Sequence, residues 1–161
     1  ARLVSGIARI EVGGRTEPEL WERKMRAEDA VRAAQAAYEK GIVPGGGTAL
    51  LSLSPVLERL AEKSPDRQRP GIRIVAEALK APAGQIAENA GLNGSALAAE
   101  LAGKPSGTGY DLLSGRYVDM LSAGIADPLK VTSAALRNAC SIASVLLTGE
   151  AGVLAPKKEE T

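Results

Sequence analysis

Apolar residues recur at helical spacing along most of this chain, and alternation of apolar and polar residues is confined to one short stretch near the N-terminus. Residues 7–12 alternate between apolar and polar, and Gly13 and Gly14 end the run, which predicts a short strand. Around residues 110–118, a turn at Ser114-Gly115 predicts a hairpin. The pattern therefore predicts a mainly α-helical fold with a short N-terminal strand and a small β-hairpin.

The first helix has clear boundary signals. Thr16 can cap it, Pro18 is tolerated in the first turn, and Glu19 completes a capping box. The helix should run to about Lys40, because Gly41 is a typical C-terminal stop. Its predicted buried side consists of Leu20, Met25, Ala30, Val31, Ala34, Ala37 and Tyr38.

Four more helices are predicted beyond Gly41. Pro55 should bend or restart the first of them, and Pro82 should kink the second. Asp127 stands in the capping position of the last helix, and Pro128 in its first helical position. The predicted ranges are 48–63, 72–89, 95–102 and 127–148.

The composition favours closely packed helices. Apolar residues make up 45% of the 161 residues, but aromatic residues only 2%, and there is no Phe. A core of Ala, Leu, Ile and Val suits helices better than sheets. The length fits one domain, or one domain plus an arm, with a substantial core.

Charge and cysteine content exclude several classes of function. The net charge is +1, from 20 basic and 19 acidic residues, which gives no electrostatic case for nucleic acid. We see no apolar run of the roughly 20 residues that span a bilayer. A single cysteine, Cys140, fits a reducing compartment. With one Cys and no His, the sequence argues against a zinc site and excludes a His-based triad. We expect a soluble cytoplasmic protein without nucleic acid or membrane partners.

The glycine cluster before Thr48 is the first candidate for chemistry. Glycines allow a backbone to approach a ligand closely, and a following helix directs free N–H groups towards an anion. The cluster lacks the Lys of a P-loop and the spaced third Gly of a dinucleotide fingerprint. Taken alone, a tight interhelical turn is the favoured interpretation.

Asp29 and Asp127 each allow a functional and a structural interpretation. Asp29 could orient or deprotonate a water that attacks a phosphoryl group. Its structural alternative, favoured by the residues alone, is an ion pair with Arg26 or Arg32 at three-residue spacing. Asp127 could hold ribose hydroxyls, but capping of the last helix explains it fully.

The order of these motifs resembles the C-terminal third of a GroEL-type chaperonin, of the bacterial and organellar branch. The resemblance is collinear from about Leu3 to Glu150. It rests on residues 26–30, 41–47, 82–91, 109–111, 118–120 and 124–132.

The resemblance implies an ATP-dependent chaperonin that assists protein folding as a homo-oligomeric double ring. Residues 1–40 would be the returning segment of the intermediate domain, and residues 41–161 the C-terminal half of the equatorial ATP-binding domain. Asp29 would be catalytic, activating the hydrolytic water. The implied nucleotide-binding residues are Gly45, Gly46, Asp111, Leu112, Leu113 and Asp127.

The same resemblance implies that other parts of the machine lie elsewhere. The magnesium ligand and the phosphate-gripping loop belong to the family's N-terminal segment, and client proteins and the co-chaperonin bind its apical domain. Asp111 stands where many relatives have Asn, and Leu112 and Leu113 replace small residues. We expect this chain alone to be inactive as an ATPase and to expose an apolar face that drives self-association.

Two alternatives remain open at this stage. The chain could act only as a structural or ring-contact module without nucleotide binding. It could also be a stand-alone helical protein whose glycine turn binds another small anion.

Overall fold

A computed structural model describes residues 7–151, which form a mainly helical structure with two small antiparallel sheets. The helices are α1 (Glu17–Lys40), α2 (Thr48–Leu51), α3 (Ser54–Lys63), α4 (Arg69–Ala78), α5 (Ala81–Asn89), α6 (Gly94–Ala102) and α7 (Leu129–Thr148). The strands are β1 (Ile42–Pro44), β2 (Thr108–Asp111), β3 (Arg116–Asp119) and β4 (Ala126–Pro128).

The sheets bring distant parts of the chain together. β1 pairs with β4, with Val43 opposite Asp127. β2 pairs with β3 in the predicted hairpin, with Tyr110 opposite Tyr117. The first sheet therefore joins the end of α1 to the start of α7.

Small side chains form the core, as the composition predicts. Leu51, Ala83, Ala98 and Leu101 form one buried cluster where α2, α5 and α6 meet. α3 packs against α4. Alanine lets these helices approach closely, so few large side chains are needed to exclude water.

The predicted boundaries of α1 are confirmed. The Thr16 hydroxyl accepts a hydrogen bond from the Glu19 N–H at 3.4 Å, and the Glu19 carboxylate accepts one from the Arg15 N–H at 2.8 Å. Gly41, with a φ of 81°, ends the helix. The hairpin also turns where predicted, between Asp111 and Arg116.

Prolines divide the middle of the chain more strongly than the pattern suggested. The predicted helix over 48–63 is two helices, and α3 restarts with Pro55 in its first turn. The predicted kinked helix over 72–89 is wrong in extent, because α4 ends at Ala78 and α5 starts at Ala81. Pro82 lacks an N–H, so it is tolerated only in the first turn of the new helix.

Two predictions near the N-terminus are wrong. Residues 7–12 do not form the predicted strand, since no segment within residues 7–151 pairs with them. The predicted buried side of α1 is largely exposed, with Tyr38 95% exposed, and Ala36 is the buried residue of this helix. An alanine-rich helix has no strongly apolar side that fixes its orientation.

α7 is the most exposed apolar element. No residue of α7 is buried within the described structure, and Leu147 is 87% exposed. The exposed apolar face predicted from the sequence is therefore present. By length and composition alone, α7 is also long and apolar enough to cross a membrane, although Lys130 and Arg137 interrupt its apolar sequence. Core helices of soluble proteins share this length and composition, so this feature alone does not assign α7 to a membrane.

Candidate functional site

The glycine turn connects β1 to α2 and is held by two backbone hydrogen bonds. The Gly45 N–H donates to the Ile125 carbonyl at 3.0 Å, and the Thr48 N–H donates to the Gly45 carbonyl at 3.1 Å. Gly46 and Gly47 have φ angles of 63° and 73°, a region that favours glycine. The turn is thus fixed to the loop that leads into β4.

Each glycine of this turn also faces protein atoms at close range. A Cβ on Gly45 would lie 3.1 Å from the Ile125 carbonyl oxygen, and one on Gly47 would lie 2.6 Å from the Ala83 nitrogen. The tight-turn interpretation therefore accounts for the residue type.

The turn nevertheless retains free donors. No acceptor within residues 7–151 takes the N–H of Gly46 or Gly47. Backbone N–H groups in a turn of this kind suit an anion. The helix that follows adds little, because α2 has only four residues and its dipole is correspondingly small.

Asp127 does not cap α7, so that prediction is wrong. It lies in β4 opposite Val43, and Pro128 occupies the capping position of the helix. Strand pairing holds Asp127 in extended backbone one residue before the cap. Its side chain is half-buried, and no donor in the described part of the chain bonds to its carboxylate. Within residues 7–151, this carboxylate is therefore unpaired.

Asp111 and its two leucines form the start of the hairpin turn. The Asp111 carboxylate accepts a hydrogen bond from the Leu113 N–H at 3.0 Å. Hydrogen bonds from the Ser114 hydroxyl and from the Leu113 N–H hold the pKa of Asp111 below its usual value. Leu113 is 99% exposed at the tip. Asp111 therefore shapes the turn and presents both leucines to solvent.

Aromatic and charged contacts tie this hairpin to α6. The rings of Tyr110 and Tyr117 meet edge to face at 5.1 Å, and the Lys104 ammonium lies 4.0 Å from the centre of the Tyr117 ring. The Tyr117 hydroxyl donates to the Glu100 carboxylate. This hydrogen bond raises the pKa of Tyr117. Sequence reasoning missed this cluster, because its members are spread over eighteen positions of ordinary surface composition.

Asp29 is an exposed residue of α1 without its expected partners. Arg26 pairs with Glu22 at 3.9 Å and Arg32 with Glu28 at 3.7 Å, so the structural alternative for Asp29 is wrong. Asp29 precedes Ala36 by seven residues, which places both on one side of the helix about 10 Å apart along its axis. Asp29 therefore lies on the same side of α1 as Ala36, which is buried nearer the C-terminal end of the helix.

The C-terminal end of α1 is joined to the sheet that holds Asp127. The Leu129 N–H donates to the Gly41 carbonyl at 3.1 Å, and Lys130 forms an ion pair with Glu39 at 2.5 Å. Gly45, Gly46 and Asp127 thus lie in one unit. Asp29 extends from that unit on the helix, roughly 16 Å along the axis from Lys40.

Metal-ligating side chains are not clustered in this unit. Across the described residues, no group of three or more His, Cys, Asp or Glu side chains could hold a metal ion. A groove of about 680 Å³ runs between α4, α5 and α6, but none of the predicted site residues lines it. Small residues such as Ala81, Gly84 and Ala98 make up most of the lining of this groove.

Comparison with known proteins agrees with the fold and the order of motifs. Residues 3–155 match the TCP-1/cpn60 chaperonin family. Over its full length the chain is 50% identical to Chaperonin GroEL 3 of Acaryochloris marina (strain MBIC 11017), and it spans 30% of that protein.

A solved structure gives the same result. With a TM-score of 0.80 and 33% identity, 88% of this chain superposes on 30% of a group III chaperonin in the open state. The helical fold is similar to the chaperonin equatorial domain. From its sequence and its fold, this chain belongs to the TCP-1/cpn60 chaperonin family.

Proposed function

We propose that this chain forms part of the ATP site of a chaperonin that assists protein folding as a homo-oligomeric double ring. One observation carries the proposal. The β1–β4 sheet holds the unengaged Asp127 carboxylate next to the turn with the free N–H groups of Gly46 and Gly47. A carboxylate that accepts from hydroxyls and N–H groups that donate to phosphate oxygens are the complementary halves of a nucleotide site.

The roles of the site residues follow from their chemistry. Gly45 and Gly46 would line the phosphates, and Asp127 would accept hydrogen bonds from the ribose hydroxyls. Asp111, Leu112 and Leu113 would lie beside the adenine, where the exposed leucines offer apolar surface. The described residues supply no magnesium cluster, so the ligands of Mg²⁺ would have to come from the phosphates and from other parts of a chaperonin subunit.

Asp29 would act on the water that attacks the terminal phosphate. Its carboxylate is free of Arg26 and Arg32, so it can accept a proton or orient the water. A positioned base of this kind contributes about 10²–10⁴-fold to a rate. Because Asp29 extends from the nucleotide unit on α1, the position of this helix would control whether the base reaches the water. Client proteins and a co-chaperonin would bind other domains of such a subunit.

Calorimetric titration with ATP and magnesium tests this proposal. We expect Asp127→Asn to weaken binding by about 10–100-fold, the loss of hydrogen bonds to a charged acceptor. Asp29→Ala should leave the affinity unchanged and abolish any turnover. Glu22→Ala is the matched control, because Glu22 is an exposed carboxylate on the same helix. Binding that is indifferent to Asp127→Asn would contradict the proposal.

A second candidate function is a structural or ring-contact module without nucleotide binding. The observation in its favour is the exposed apolar face of α7 together with the close packing of the turn glycines. A chain that self-associates but binds no ATP at millimolar concentration would support this candidate instead.

A further inference from the structure

Met120 is buried at the junction between the hairpin and the glycine turn. It directly follows β3 and is 2% exposed, whereas Met25 on α1 is 37% exposed. Sequence analysis predicted no role for Met120, but its contacts in the structure indicate one.

The main chain of Met120 links the two halves of the candidate site. The Met120 N–H donates to the Gly107 carbonyl at 3.0 Å, at the base of the hairpin. The Met120 carbonyl accepts from the Ile125 N–H at 2.8 Å, and the Ile125 carbonyl accepts from the Gly45 N–H at 3.0 Å. A continuous series of hydrogen bonds therefore runs from the hairpin to the glycine turn.

The side chain of Met120 makes the same connection. A Cβ on Gly109 would lie 2.5 Å from the Met120 Sδ, and one on Gly46 would lie 2.9 Å from its Cε. The thioether thus extends from β2 to the turn, and both positions are glycines. Thr48 at the start of α2 closes the other side, since its Oγ1 would lie 2.6 Å from the same Cβ on Gly109.

We propose that Met120 is a positioning residue that holds the hairpin turn Asp111–Leu113 in a fixed relation to Gly45 and Gly46. This inference rests on the proposed function, because those two segments are the base side and the phosphate side of the site. The unbranched side chain fills the space between two glycines and transmits any shift of one segment to the other. Nucleotide affinity then depends on a residue that does not touch the nucleotide.

Amide hydrogen exchange on the whole chain tests the connection without any ligand. In Met120→Ala we expect faster exchange at Gly45 and in β2 and β3 together, by about tenfold or more, with α3 and α4 unchanged. Met120→Leu, which nearly conserves the volume, should restore wild-type exchange. Met25→Ala is the matched control and should leave both segments unchanged. Faster exchange in one segment alone, or equally across all helices, would overturn the proposal.

A second variant and a second readout keep the test decisive. If Met120→Ala does not fold, Met120→Val removes less volume and is measured in the same way. For nucleotide binding, Met120→Ala should raise the dissociation constant of ADP with magnesium by about tenfold, and Met120→Leu by less than about threefold. A wild-type chain that binds no ADP refutes the proposed function, whereas the exchange result still decides the role of Met120.

Discussion

Replacing Gly47 with alanine tests the placement of the glycine turn against α5. Gly47 has a φ of 73°, and an added Cβ would lie 2.6 Å from the Ala83 nitrogen and 2.9 Å from its Cα. Neither atom belongs to a flexible side chain, so the turn or the helix must shift. Gly124 is a matched control, because its φ is 75° and an added Cβ meets nothing within 4 Å.

The two variants differ in one energetic contribution. Both pay about 1–2 kcal/mol for a left-handed alanine. In Gly47→Ala the backbone contact destabilises the protein by a further ~1–3 kcal/mol, the cost of overpacking. We therefore expect Gly47→Ala to be less stable than Gly124→Ala by about 1–3 kcal/mol.

Urea unfolding followed by far-ultraviolet circular dichroism measures this difference. With a slope of about 1–3 kcal/mol per molar urea, the two midpoints should be separated by roughly 1 M. Equal midpoints at equal slopes would refute the reasoning, because they would show that an added Cβ at position 47 makes no close contact with α5. The turn would then be open on the side where the structure places α5.

Two further predictions concern a carboxylate and the apolar helix. The Ser122 hydroxyl and N–H hold the pKa of Asp119 below its usual value, so the stability that Asp119 contributes is complete above its unfolded-state pKa of about 3.9 and is lost as the pH falls through the folded-state pKa. Asp119→Ala should therefore lower the melting temperature at pH 7 but not below the folded-state pKa, and an equal deficit at both pH values would contradict this. In sedimentation velocity the chain should self-associate, and Leu146→Ser should reduce the association. Leu113→Ser, which removes an exposed leucine outside α7, should leave it unchanged, and a monodisperse wild-type monomer would contradict the prediction.

Local signals were sufficient for several elements of the fold. Thr16, Glu19 and Gly41 define the ends of α1 through contacts within a few residues, and the turn at Ser114-Gly115 defines the hairpin. Such local contacts form regardless of how the rest of the chain folds. Sequence patterns predict them for that reason.

Elements that depend on distant partners were predicted less well. Asp127 reads as a helix cap, but it pairs with β1 more than eighty residues earlier in the chain. Ile7 and Ile10 alternate like a strand, but no described segment pairs with them. The buried side of α1 could not be chosen from the sequence, because alanine is compatible with either side.

Sequence patterns predicted the residues of the candidate site but not the contacts between them. The glycine turn and Asp127 were identified, yet the contacts of Gly46 with Met120 and of Gly47 with α5 depend on packing that no spacing encodes. The absence of an ion pair between Asp29 and Arg26 or Arg32 could not be predicted either, because both arginines lie at a spacing that permits one. The roles assigned to these residues come from the resemblance and remain proposals.

The most direct test of the central claim is an NMR titration of the isotope-labelled chain with ADP and magnesium up to millimolar concentration. We expect the amide signals of Gly46 and Gly47 to shift together with those of Asp127 and of the turn from Asp111 to Leu113. Signals of α3 and α4 should stay in place. Shifts confined to the groove between α4 and α6, or no shifts at all, would contradict the claim that this chain carries part of an ATP site.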